Sequence, residues 1–102
     1  MTDEQFLQAV KQTVLSFDPG AEVWLFGSRA RGDARPDSDW DFLVLTDKPV
    51  DWQFKHNLRG ELYDVGLDAG NSISTIIQYK QHMPVLSVTE LYQNVTSEGR
   101  HL

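Results

Sequence analysis

Gly27-Ser28-Arg29-Ala30-Arg31-Gly32-Asp33-Ala34-Arg35-Pro36-Asp37-Ser38-Asp39-Trp40-Asp41 is the stretch whose reading decides the fold. Val23, Trp24, Leu25 and Phe26 precede it, and Phe42, Leu43, Val44 and Leu45 follow it. Two apolar runs around a glycine-serine turn and a polar segment read as strand, tight turn, short helix, loop, strand. Such a unit gathers phosphate-binding and cation-binding groups at one end of a small sheet.

Asp39 and Asp41 lie two apart at a strand entrance, so their side chains share a face. Two carboxylates ~4 Å apart repel by ~4 kcal/mol at an effective dielectric of 20. A divalent cation is the simplest compensation. Mg²⁺ takes few protein oxygens and bridges to substrate phosphates. Asp64 is a candidate third ligand, since it stands among core-forming residues of what reads as a strand; Asp68 shares that strand face and is the alternative. At Gly27-Ser28 the glycine lets backbone N–H groups approach a phosphate, the helix start favours negative charge, and the Ser28 hydroxyl adds a donor. The loop lacks the Lys-Ser/Thr pair of a Walker loop and the three glycines of a dinucleotide fingerprint.

Outward from this centre, Thr2 to Asp18 reads as an amphipathic helix. Thr2 and Gln5 have capping-box spacing, and Phe6, Leu7, Val10, Val14 and Phe17 share a face. Glu22 to Phe26 is a short strand, Ser28 to about Ala34 a short helix, and Trp40 to Thr46 a strong strand. Val50 to Arg59 reads as a helix. Glu61 to Asp68 alternates and reads as a strand, Ala69-Gly70-Asn71 as a hairpin turn, and Ile73 to Tyr79 as the returning strand. Thr89 to Glu98 is a last helix ended by Gly99 at a C′ position. The fold class is α/β: a small mixed sheet flanked by helices.

The 102 residues correspond to one domain, expected to bury roughly two-thirds of its unfolded surface. A formal net charge of −6 argues against a nucleic-acid polymer as ligand, because such binding rests on Lys and Arg neutralising phosphates. A single nucleotide is still compatible with it. With no cysteine there is no disulfide and no Cys-based zinc site. No apolar run approaches about 18 residues and the N-terminus is acidic, so the expectation is a cytoplasmic protein with no membrane contact.

Together these pieces resemble the active-site signature of the minimal nucleotidyltransferases of the DNA polymerase β-like superfamily: G-S-x-A-R-G, a short spacer, then S-D-x-D on the next strand. Residues 27–41 match it at every defining position. The likeness is sharp over Val23 to Leu45 and looser toward Glu90–Val95 and Glu98-Gly99. It implies that Gly27 and Ser28 hold the triphosphate, with Arg29 and Ser38 in the nucleotide-binding set. It also implies that Asp39 and Asp41 bind Mg²⁺ and that Asp64 completes a second metal site and helps activate the attacking hydroxyl. The reaction would be in-line attack on the α-phosphorus with pyrophosphate leaving, assisted by two metals ~4 Å apart.

The resemblance further implies AMP transfer from ATP, and for small bacterial members an antitoxin role in which a tyrosine of a helical HEPN-type toxin is the acceptor. Two other functions fit the same residues: nucleotidyl transfer to a small molecule, as in aminoglycoside-modifying enzymes, and a non-catalytic antitoxin or binding module. A homo-oligomer is compatible with the sequence. Arg31 divides evenly between triphosphate contact and pairing with Asp33 or Asp37. Trp40, Trp52, Phe54 and Tyr63 read as core, and His56, His82 and His101 as surface.

Overall fold

A computed structural model describes residues 1–82, 85 and 87–102. Helix α1 (Asp3–Phe17) leads to β1 (Glu22–Phe26), the single turn α2 (Ser28–Arg31) and β2 (Trp40–Thr46). Helix α3 (Trp52–Ala69), β3 (Ile73–Tyr79), a 3₁₀ turn (Lys80–His82), α4 (Glu90–Glu98) and β4 (Arg100–His101) complete it. Among the described residues the strands form one mixed sheet in the order β3-β2-β1-β4. β1 runs antiparallel to β2 and β4, and β3 runs parallel to β2.

Caps set the helix starts as the residue types require. Gln5 N–H donates to Thr2 Oγ1 at 3.2 Å and Thr2 N–H to Gln5 Oε1 at 2.9 Å, the expected capping box. Asp51 accepts from Phe54 N–H at 2.8 Å and starts α3. The sheet divides the core in two. Trp40, Phe42 and Val44 face α1 and α3 and pack with Phe6, Val10, Leu58 and Leu62. Leu43 and Leu45 face the other way, against Val95 of α4, with Ile76 and Tyr92 packed alongside.

The segment read as a strand from Glu61 to Asp68 is the second half of α3. Its alternation is real in the sequence but is not the pattern that becomes buried. Leu58, Leu62 and Gly66 are buried and Val65 and Ala69 half-buried, which is a helical stripe. Tyr63 and Leu67, the supposed strand face, are 65% and 62% exposed. Trp52, read as core, is 76% exposed and stacks on His56. The hairpin is therefore absent. Gly70, with φ 71°, is the left-handed cap of α3, and β3 returns parallel to β2 across the helix. Gly99 ends α4 but at φ −81°, so left-handed freedom is not its role. A Cβ there would lie 2.8 Å from Leu25 O, and the glycine lets the chain pass close to β1.

At the sheet end remote from the Gly27 turn, buried Asp18 accepts from Thr46 Oγ1 and Asp47 N–H, each at 2.8 Å, and from Gly20 N–H at 3.0 Å. Burial alone would push its carboxyl up, but these donors hold it below the ordinary aspartate value. A lowered carboxylate pKa contributes stability that is complete above the ordinary value of about 3.9 and is lost as pH falls through the folded value. Asp18→Ala should lower unfolding free energy by about 1–3 kcal/mol at pH 7, because Thr46 and Asp47 are left unpaired. Denaturant melts should show that deficit shrinking below about pH 4.

Candidate functional site

The site forms where β1 ends and β2 begins. Register sets Phe26 opposite Asp41, so the Gly27 turn arrives beside that carboxylate. Gly27 has φ 74° and ψ −157°, a conformation close to glycine-only. A Cβ on it would lie 2.3 Å from Asp41 Oδ2. The space the glycine leaves empty is thus occupied by the carboxylate. Gly32 closes α2 at φ 85° with nothing near its missing side chain, so only its backbone freedom is used. Helix α2 is one turn, ending at Arg31 rather than near Ala34.

Asp41 points to the α4 side of the sheet, as do Leu43 and Leu45, and is partly buried. Desolvation raises its carboxyl above the ordinary value, the charge of Asp39 raises it further, and Arg31 opposes both. A half-buried carboxylate with a second acid beside it is a donor set short of positive charge. Asp39 and Asp41 are thus the residues that would hold a divalent cation, which favours such oxygen ligands.

Asp64 does not join them. Helix α3 packs on the Phe42 and Val44 face, opposite to Asp41, and carries Asp64 and Asp68 as exposed residues of that other side. Asp64 borders a shallow depression with Phe17, His56 and Tyr63. Among the described residues no group of three His, Cys, Asp or Glu could hold a metal. The expected third carboxylate is thus corrected: misreading a helix as a strand placed it on the wrong face.

Arg29 and Ser38 serve the loop. Arg29 Nε and Nη2 donate to Ser38 O at 3.3 and 3.0 Å, and Nη2 also donates to Pro36 O at 3.2 Å. Its guanidinium lies 4.7 Å from the Trp40 ring centroid, on the α1 side of the sheet. Ser38 Oγ accepts from Arg35 N–H at 2.8 Å. These contacts hold the loop that delivers Asp39, and the Arg29 guanidinium faces away from the Asp41 carboxylate. Arg29→Lys cannot reproduce the fork. Both Arg29→Lys and Arg29→Ala should destabilise the fold by about 1–3 kcal/mol in denaturant melts.

Arg31 is the cation on the Asp41 side. It pairs with Asp33 at 3.3 Å and Glu98 at 3.7 Å, with 44% of its side chain exposed. The structure shows the Asp33 pairing that the sequence offered for Arg31, and sets Arg29 on the other face of β2. The alternation of β2 was the available signal, since it puts Trp40 and the cation over it on the face away from Asp41.

Comparison with known proteins identifies the family. The family profile described as Nucleotidyltransferase domain matches residues 4–94. The Haemophilus influenzae protein named "Probable protein adenylyltransferase MntA" is 34% identical over 53 residues, 52% of this chain and 46% of that protein. The chain spans less than half the length of the curated relatives it matches. A solved minimal nucleotidyltransferase superposes with a TM-score of 0.65 at 28% identity, covering 99% of this chain and 97% of that one. A tri-AMPylated Shewanella oneidensis HEPN toxin in complex with an MNT antitoxin gives a TM-score of 0.63 at 16% identity. It covers 98% of this chain and 71% of that one, a likeness of fold alone. With the profile spanning most of the chain and the glycine turn set against Asp41, the chain belongs to the nucleotidyltransferase domain family.

Proposed function

We propose that the chain transfers AMP from ATP to a hydroxyl of a protein partner, with Asp39 and Asp41 holding the Mg²⁺ that accompanies the nucleotide. The observation that carries this is the packing of the Gly27 turn against Asp41, which brings a phosphate-binding turn and a cation-binding carboxylate into contact. Mg²⁺ bound there would neutralise triphosphate charge and stabilise the charge that develops on the transferring phosphoryl group.

The chain's own residues supply position. Backbone N–H groups at Gly27 and Ser28, with the Ser28 hydroxyl, would donate to phosphate oxygens, and Arg31 would exchange Asp33 for a phosphate. Arg29 and Ser38 keep the Asp39 loop in register. Such catalysis is positioning plus electrostatic stabilisation, which needs no covalent intermediate on the protein. The cytoplasm, where ATP is available, is the compartment this reading requires.

The acceptor reading draws on the relatives: one is named as a protein adenylyltransferase, and in another complex an MNT antitoxin sits with an AMPylated HEPN toxin. We take a tyrosine of a HEPN-type helical partner as the acceptor. The test is incubation with Mg²⁺, ATP and either the all-helical protein encoded by a neighbouring gene or an aminoglycoside, followed by mass spectrometry of each acceptor. An AMP adduct on tyrosine is expected. An unmodified partner together with a modified aminoglycoside would replace this reading with small-molecule transfer, and inhibition of the partner without any adduct would replace it with a contact-only module.

A further inference from the structure

We propose that this site holds a single divalent cation with its nucleotide, and that the Ser74 hydroxyl occupies the place where a third carboxylate would complete a second cation's ligands. The inference rests on Asp39 and Asp41 being the cation ligands. The β2–β3 register pairs Asp41 with Ser74, Leu43 with Ile76 and Leu45 with Gln78. Laterally paired residues of a parallel ladder point to the same face, with strands ~4.8 Å apart. Ser74 is therefore the β3 side chain level with Asp41 on the α4 side, and it is exposed there. Strand β3, Ile-Ser-Thr-Ile-Ile-Gln-Tyr, carries no acid at all.

Other acids are either paired with a cation or carried on other parts of the fold. Asp33 and Glu98 are both paired with Arg31. Asp64 and Asp68 belong to α3, on the opposite face of the sheet. Glu22 sits at the far end of β1, opposite Leu45. Two cations ~4 Å apart bring four positive charges into one site, and a neutral hydroxyl offsets none of them. One Mg²⁺ on two carboxylates and substrate phosphates needs no such third group.

Mn²⁺ bound per chain, counted by equilibrium dialysis with saturating α,β-methylene-ATP, tests this. The wild type should bind one Mn²⁺, with any second ion at least ten-fold weaker. Ser74→Asp should bind two of comparable affinity, and Ser74→Asn, which keeps the size without the charge, should stay at one. Ser74→Glu is the second carboxylate variant should Ser74→Asp not fold, and thermal melts report folding. Two ions on the wild type, or one ion on folded carboxylate variants, would overturn the proposal while leaving the nucleotide reading intact. No Mn²⁺ and no nucleotide on the wild type would overturn both.

Discussion

Asp41→Asn should melt at a higher temperature than the wild type in EDTA and yet transfer at least about 100-fold less nucleotide, the scale of losing a group that stabilises transition-state charge. The stability half follows from the sign of the shift. Burial and the neighbouring Asp39 raise the folded carboxyl above its ordinary value. The unfolded chain then ionises first as pH rises, so stability falls across the window between the ordinary and the raised value and stays lower at pH 7. An amide carries no charge to desolvate, and the variant should lose that pH dependence. The functional half follows from ligation, since an amide is a poor partner for a hard cation. Adding Mg²⁺ with ATP should raise the wild-type melting temperature and leave Asp41→Asn unmoved. Calorimetric scans from pH 4 to 8 check both halves. A variant less stable than wild type across that range would contradict the burial account.

Gly27→Ala is the second large effect. A methyl there would sit 2.3 Å from Asp41 Oδ2, far inside contact distance, so either the turn or the carboxylate must move. The backbone at φ 74° and ψ −157° adds about 1–3 kcal/mol of strain for a residue with a Cβ. Cation-dependent ATP binding should fall by at least about 100-fold, equivalent to ~2.7 kcal/mol. Gly32→Ala is the internal control. It shares a positive φ but has nothing within 4 Å of the added methyl. It should cost only about 1–2 kcal/mol of stability and leave ATP affinity within about two-fold. Titration calorimetry of both variants separates close approach from backbone strain. Equal losses of affinity would show that the Gly27–Asp41 contact is not what matters.

The contrast between what was legible and what was not has a physical basis. The strand-turn-strand centre could be read because each local signal agrees with the others. β2 alternates with one face against α1, Gly27 and Gly32 both sit at positive φ, and the Asp pair follows a polar loop. The capping box at Thr2 and Gln5 depends only on neighbours in sequence, so it was legible too.

Helix α3 was not. Glu61–Asp68 has apolar residues at both period two and period three to four, and only tertiary packing chooses between them. The choice is made by Leu58 and Leu62 packing in one cluster with Trp40 and Phe42, residues remote in sequence, while Gly66 lies against Ile73. That one ambiguity moved Asp64 from a sheet neighbour of Asp41 to the far side of the sheet. Arg29 and Arg31 are a smaller case. Two residues apart on a single turn, they fall on opposite sides of β2, and the alternation of β2 decides between them only once Arg29 is known to lie over Trp40.

Label transfer tests the central claim most directly. Wild type and Asp39→Asn/Asp41→Asn are incubated with Mg²⁺, the helical partner and ATP labelled at either the α or the γ phosphorus. Nucleotidyl transfer through the Asp39–Asp41 site predicts α-label on the partner, γ-label only in released pyrophosphate, and no transfer by the double variant. γ-Label on the partner, or equal α-labelling by wild type and double variant, would contradict it.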